Sequence, residues 1–338
     1  MDWTRGYSSE WTVMAVDRDT WADAGIVEGV REVSISRDCT DSVPLLETGT
    51  MTLDADSFEW EWCRIYMVAN QVAPVKVAIA TMLFERQSSH FEKGARTLNA
   101  RGRSVLQPVA DRSMTRGSYA PAGTNGANFV ANLLRECTPA PVVVDGSFTL
   151  VDDVVFDLGC SYLDAAWAVL NAANWCMQID GDGTINIRKM PTEPSLELSR
   201  ANAGVLIPGI DDDYSIVDIP NRYIAVDDGE IAMATNDSGS EASYNKRGRW
   251  VDYVDESPVL VDGETLQSYA DRKLVEMSTI MRKYSYQREY WPDVVPYSVV
   301  RATMPNNGID GDLRVLSQSL ECGRGVVISE VAGMEVVL

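Results

Sequence analysis

The sequence predicts an α+β protein that is mainly β, with strand-rich segments on either side of a small helix-and-hairpin module. Three observations predict this class. Apolar residues alternate with polar ones through residues 30–106, the alternation returns after residue 216, and between them Asp157 to Lys189 passes from helical spacing into a hairpin.

In chain order, residues 1–30 carry Trp3, Trp11 and Trp21 with few regular signals, and read as an arm or a first strand pair that packs on a partner surface. Val33 and Ile35 then alternate with Ser34 and Ser36, and Thr48, Thr50 and Thr52 with Gly49, Met51 and Leu53. Strands follow at 62–68 and 75–85, the second apolar at nearly every position as expected of a strand buried on both faces, and another covers Arg96 to Leu106. This density of short strands suggests a small antiparallel barrel or sandwich.

Between Pro108 and Gly126 the composition shifts to Ser, Gly, Pro and Ala, as in a linker. Residues 127–137 make a short helix with Phe129, Val130, Leu133 and Leu134 on one face and Pro139 after it, and Val142 to Leu150 is a brief extended piece. Ser161 with Asp164 has the form of a capping box, so a helix starts there and buries Leu163, Ala166, Trp167 and Leu170. Trp175, Met177 and Ile179 then alternate, Asp180-Gly181-Asp182-Gly183 supplies a turn, and Ile185 and Ile187 resume the alternation. Pro191, Pro194 and Pro208 mark a second transition. The resulting divisions are an N-terminal arm and first β segment (1–110), an inserted α+β module (111–195), and a second β segment with a flanking helix (196–338).

In the last division, Ile216 to Val226 reads as a strand whose proline argues for an edge or a bulge, and residues 227–248 read as a long mobile loop. An amphipathic helix covers Glu264 to Met281, with Leu266, Tyr269, Ala270, Leu274, Met277, Ile280 and Met281 as its stripe. Tyr284, Tyr286 and Tyr290, then Val299 to Thr303, continue as strands. Leu313 to Leu320 and Val326 to Val331 form a late pair turned at Gly323-Arg324-Gly325, so this segment reads as a barrel with one helix beside it.

Charge narrows the function. The 50 acidic residues against 29 basic ones give a net charge of −21, which opposes stable binding to nucleic acid or an anionic membrane, because phosphates are held by clustered Lys and Arg. No apolar run is long enough for a transmembrane helix, so no membrane insertion is expected. Met1-Asp2-Trp3 lacks the basic start of a signal peptide, so export by that route is not expected either.

No catalytic, cofactor-binding or metal-binding residue is singled out. The six cysteines, at 39, 63, 137, 160, 176 and 322, form no CxxC and read as reduced core thiols; the single histidine, His90, reads as a solvated loop residue. Asp180, Asp182, Gly183 and Ile185 imitate an EF-hand core, but the frame puts Gln178 at the first ligand and Lys189 where a bidentate Glu belongs, so a hairpin is expected. Asp211-Asp212-Asp213 on an extended chain point to alternate sides, which favours a solvated charge run over a calcium site. The tyrosines at 284, 286 and 290 could stack sugars or bases, with a cross-strand aromatic face as the plainer reading. GxSxG, HExxH, P-loop and dinucleotide motifs are missing.

The order of these pieces resembles the central hub of tailed-bacteriophage and prophage tails, the baseplate hub or tail-tip proteins. Ser161-Tyr162-Leu163-Asp164-Ala165-Ala166-Trp167 and the run from Trp175 through Asp180-Gly181-Asp182-Gly183 to Ile185 resemble that family's helix and D-G-x-G hairpin. Asn221 to Val226 resembles the strand that resumes the barrel, and residues 264–303 the helix and strand that follow. The resemblance implies two tube-like antiparallel β-barrels flanking the inserted module, and a homotrimer forming a pseudo-sixfold ring. Implied partners are a tail tube or distal tail protein, a tip, spike or fibre, and the tape measure, with transient passage of DNA. The place implied is the distal tail tip of a virion, after synthesis in the host cytoplasm. Many relatives carry a C-terminal peptidase or fibre, whereas this chain stops at Leu338 after its last strand pattern, so no enzyme activity and no cofactor are expected. Two other classes stay open: a cell-wall-degrading glycoside or peptidoglycan hydrolase of the tail, and a calcium-dependent host-binding module.

Overall fold

The computed structural model describes residues 3–337 apart from 4–5, 42–43, 56, 59, 72, 93–94, 115–116, 200–205, 214, 228, 257, 259–264, 305–307 and 324–325. The fold is mainly β, with large antiparallel sheets and few helices. Two compact units form: Met1–Ile210 with Tyr286–Ala332, and Asp211–Ser285 with Gly333–Leu338.

The chain starts with seven strands, β1 (Ser8–Val16), β2 (Asp23–Ile26), β3 (Val30–Asp38), β4 (Leu46–Asp54), β5 (Trp60–Asn70), β6 (Pro74–Glu92) and β7 (Ala95–Arg103). The inserted module follows: α1 (Gln107–Ala110), β8 (Ser118–Ala120), α2 (Gly126–Arg135), β9 (Val142–Asp145), β10 (Val154–Phe156), α3 (Tyr162–Asn171), β11 (Trp175–Ile179) and β12 (Ile185–Lys189). After β13 (Pro194–Ser199) and β14 (Leu206–Asp213) come β15 (Arg222–Asp227), β16 (Glu230–Thr235), α4 (Tyr244–Arg247), β17 (Asp252–Asp255) and α5 (Leu266–Ser278). The last strands are β18 (Thr279–Glu289), β19 (Val299–Met304), β20 (Ile309–Cys322) and β21 (Val326–Val337).

In the first unit the large sheet runs β18, β21, β20, β3, β4, β7, β6, β5, β1, β2, with β19 also on β20 and β13 on β19. Strands from the two ends of the sequence are therefore neighbours: Leu320 of β20 stands opposite Ile35 of β3. The tryptophans of the arm are tied down, Trp11 Nε1 donating to the Gly323 carbonyl at 2.9 Å and Trp21 Nε1 to the Asp182 carbonyl at 2.9 Å.

The module forms as its local signals require. The Ser161–Asp164 capping box closes from both sides, Asp164 N to Ser161 Oγ at 3.0 Å and Ser161 N to Asp164 Oδ2 at 2.9 Å. β11 and β12 pair with Ile179 opposite Ile185. The module's core continues into the large sheet through Val16, Leu46 and Trp62, and Trp167, 1% exposed, donates from Nε1 to the Pro44 carbonyl at 3.1 Å.

The Asp180–Gly183 turn is pressed onto β6. The β5–β6 ladder skips a residue, Ile65 facing Ala80 and Tyr66 facing Ala78, so Ile79 is bulged and its carbonyl leaves the ladder. Thr81 Oγ1 donates to the Gly181 carbonyl at 2.9 Å, and Arg64 Nη2 to the Asp182 carbonyl at 3.0 Å. A Cβ on Gly181 would stand 1.9 Å from the Ala78 carbonyl oxygen, so close approach demands glycine here. The docked turn also explains why Ile79, Ala80, Thr81 and Met82 are all buried: β6 is covered on both faces at that point.

A buried polar network crosses the sheet. Arg37, 1% exposed, donates from Nε to Glu47 Oε1 at 2.8 Å, from Nη1 to Gln318 Oε1 at 3.3 Å, and from Nη2 to the bulged Ile79 carbonyl. Gln318 Nε2 donates to the Val294 carbonyl at 2.9 Å and to Glu330 Oε2 at 2.6 Å. Glu330 also receives Arg288 Nε at 3.1 Å, Arg288 Nη2 at 2.6 Å and Tyr286 Oη at 2.5 Å.

In the second unit β15 is flanked by antiparallel β16 and parallel β17, and α5 covers one face of this sheet. Asp255 Oδ2 joins sheet to helix, accepting from Tyr223 at 2.7 Å and Tyr269 at 2.8 Å.

Several expectations change. Residues 227–248 contain β16 and α4 instead of a continuous loop, because Glu230–Thr235 alternates apolar residues of two sizes and composition alone hides it. Ile216–Pro220 lies outside any strand, and β15 starts only at Arg222, beyond the proline. His90 sits in β6, which extends past Glu85 with both faces exposed and so shows no alternation. The Pro108–Gly126 stretch contains α1 and β8. Helix α5 ends at Ser278 and passes straight into β18, so Ile280 and Met281 belong to the strand. Arg324 and Gly325 of the expected late turn, and Glu264, lie outside the described residues.

Two stability measurements test these ties. Gly181→Ala is expected to cost about 2–4 kcal/mol in urea unfolding, since the clash is with backbone that cannot swing away. Gly117→Ala, where nothing lies within 4 Å, should stay within about 0.5 kcal/mol. Arg37→Met leaves Glu47 buried without its cation and should cost about 3–5 kcal/mol, whereas adding Glu47→Leu should recover most of the loss.

Candidate functional site

The residues that sequence reading tested for chemistry are mostly consumed by structure. Asp180 and Asp182 serve the turn itself: Gly183 N donates to the Asp180 carbonyl at 2.8 Å and Thr184 N to Asp182 Oδ1 at 2.9 Å. Asp212 is held by Arg282, whose Nε reaches Oδ1 at 2.9 Å, and this hydrogen bond keeps the Asp212 carboxyl below its usual range. Among the described residues no three His, Cys, Asp or Glu side chains converge as a metal site would need. Tyr284, Tyr286 and Tyr290 are each buried, so they present no stacking surface, and burial raises the Tyr286 phenol well above its ordinary value.

All six cysteines are free thiols. Burial pushes Cys39 up to about 11 and Cys176 and Cys322 up to about 12, so they stay protonated and unreactive near neutral pH.

A cleft of about 540 Å³ lies where β12 meets β13 and β19, with Arg188, Lys189, Glu193 and Asp293 on its walls. Arg188 is engaged by Asp145 at 3.2 Å, and Gln178 at the base donates to the Pro296 carbonyl at 2.9 Å. Of the hydroxyls in the lining, Ser195 Oγ donates to the Val299 carbonyl at 3.2 Å and Ser298 Oγ accepts from Val295 N at 3.2 Å.

The outward face of the large sheet is different in kind. Ser34, Ser36, Thr48, Thr50 and Ser319 stand side by side on β3, β4 and β20, with Arg101 at the margin of a shallow groove of about 320 Å³. Ser34 and Thr50 hydroxyls meet at 2.7 Å, Thr52 Oγ1 donates to Asn99 Oδ1 at 3.2 Å, and Gln287 Nε2 to Ser329 Oγ at 3.2 Å. The result is a band of hydroxyl and amide groups that can hydrogen-bond, bordered on the same face by Glu32, Asp38, Arg101 and Arg103.

The residues that sequence reading missed are those of the buried network: Arg37, Glu47, Arg288, Gln318 and Glu330. The signal was present in strand parity, since Arg37 shares the inward side with Val33 and Ile35, and Arg288 with Tyr286 and Tyr290.

No known family pattern matches the sequence, and no curated relative does. Solved structures do match. The tail protein from Neisseria meningitidis MC58 superposes with a TM-score of 0.64 at 14% identity, over 97% of each chain. The 43 kDa tail protein of prophage MuSo2 from Shewanella oneidensis gives 0.63 at 11% identity, over 96% of each chain. A chain of the Francisella PdpA-VgrG complex gives 0.57 at 7% identity, over 97% of this chain and 58% of that one. At such identities the likeness is one of fold, and over nearly its whole length this chain has the fold of these tail proteins.

Proposed function

We propose that the chain is a structural component of a phage-type tail, the central hub at its distal end, forming a trimeric, pseudo-sixfold ring that joins the tail tube to the tip or spike. The observation that carries this reading is the superposition over nearly the full length of two bacterially encoded tail proteins, one of them from a prophage, with no large segment of either chain left over. The net charge of −21, which repels phosphate, supports passage of DNA through such a ring. In this reading the protein works by geometry, through rigid sheets and a docked module, and no reaction is assigned to it.

Native mass spectrometry of the chain, alone and with the tube and tip proteins encoded beside it, tests the reading. A species of three 37.3 kDa chains that adds both neighbours is expected; a chain that stays monomeric with them present overturns it. A thermal melt separates the calcium-dependent alternative: with Asp180 and Asp182 used in the turn and Asp212 paired, millimolar calcium should leave the midpoint unchanged within about 1 °C.

A further inference from the structure

The seat of the Asp180–Gly183 turn lies against a buried charge that is only half satisfied. Glu47 is 3% exposed; its Oε1 accepts from Arg37 Nε at 2.8 Å, while its Oε2 has no hydrogen-bond partner among the described residues. The same guanidinium reaches the Ile79 carbonyl through Nη2. Gly181 presses on the adjoining peptide, where a Cβ would stand 1.9 Å from the Ala78 carbonyl oxygen and 2.9 Å from Ile79 N. Glu47 and the turn thus meet across one stretch of β6, and Asp180, the carboxyl that opens the turn, acts on Glu47 through space.

The groups around these two carboxyls do not cancel. Glu47 on β4 faces Arg37 of β3, Tyr290 just after β18, and Asp180. Asp180 faces Asp182 within the turn, Asn186 and Arg188 of β12, and Asp293 in the segment before β19. Both guanidiniums are already engaged, Arg37 by Glu47, Gln318 and the Ile79 carbonyl, and Arg188 by Asp145 at 3.2 Å. Desolvation against the seat, then Asp182 and Asp293, hold Asp180 above the ordinary carboxyl range, with Asn186 and Arg188 pulling the other way. Desolvation and Asp180 likewise raise Glu47 against the pull of Arg37. A carboxyl raised in this way binds its proton more tightly with the turn seated than with it released. Seating is strongest below the ordinary carboxyl range and weakens as pH rises through that range to the raised value.

We propose that this seat is a proton-dependent latch: a proton taken up between Asp180 and Glu47 tightens the hold of the inserted module on the large sheet, and its loss loosens that hold. The latch concerns contacts within one chain and stands apart from the hub reading. The test is hydrogen exchange of the full chain, read by mass spectrometry on the peptide spanning the turn and corrected for the pH dependence of intrinsic exchange. Protection at about pH 4.5 is expected to exceed that at about pH 7.5 by about threefold or more. Asp180→Asn keeps the side-chain shape and the backbone carbonyl that receives Gly183 N, and its protection should stay within about 1.5-fold over the same range. Protection that ignores pH in the natural chain, or a pH dependence that persists in Asp180→Asn, overturns the latch. Should that variant fail to fold, a carbon-13 NMR titration of the aspartate carboxyls in the unaltered chain decides. A carboxyl with a midpoint above the ordinary aspartate range, whose titration also moves the Gly183 amide signal, is the expected result. A Gly183 amide that follows no such carboxyl overturns the proposal.

Discussion

Arg37 is the constraint on which the first unit depends. Its guanidinium lies inside the sheet, where an unpaired charge would cost several kcal/mol, so every donor direction must be met by something fixed. Glu47 supplies a carboxylate from the neighbouring strand, Gln318 an amide from a strand far along the sequence, and the bulge at Ile79 a carbonyl released from its ladder. Gln318 passes the connection to Glu330, and Glu330 to Arg288 and Tyr286. A slip of one residue in any of these strands would turn a charged side chain to the wrong face, so the network sets register as much as it contributes stability.

The same bulge connects the network to the module. Where β6 departs from regular pairing, the Gly181–Asp182 peptides of the hairpin turn approach its backbone closely enough to exclude any side chain, and Arg64, Thr81 and Trp21 hold the turn there. The Asp180–Gly183 turn, which sequence reading weighed as a weak metal mimic, is the module's fastening. Its glycines serve close approach at Gly181 and a left-handed backbone at Gly183, φ +85°.

The second unit follows a different logic. Small alanines let α5 lie close on one face of its sheet, and the large aliphatics are spent outward. The first unit pairs the charges that it buries, whereas the second leaves aliphatic side chains exposed on the sheet face away from α5.

The sequence by itself determined what local rules control. The capping box at Ser161, the change of period at Trp175, the hairpin register around Asp180 to Gly183 and the alternation of the long strands depend on residues close in the chain, and they formed as read. Tertiary structure alone decided the rest. The meeting of β20 with β3, the burial of Arg37 against Gln318, and the turn seated on the Ile79 bulge join residues about one hundred to nearly three hundred positions apart, and no spacing encodes them. The outward face of β16 escaped for a related reason: alanine and isoleucine are both apolar in a pattern, and only the position of α5 tells which side of the strand is inside.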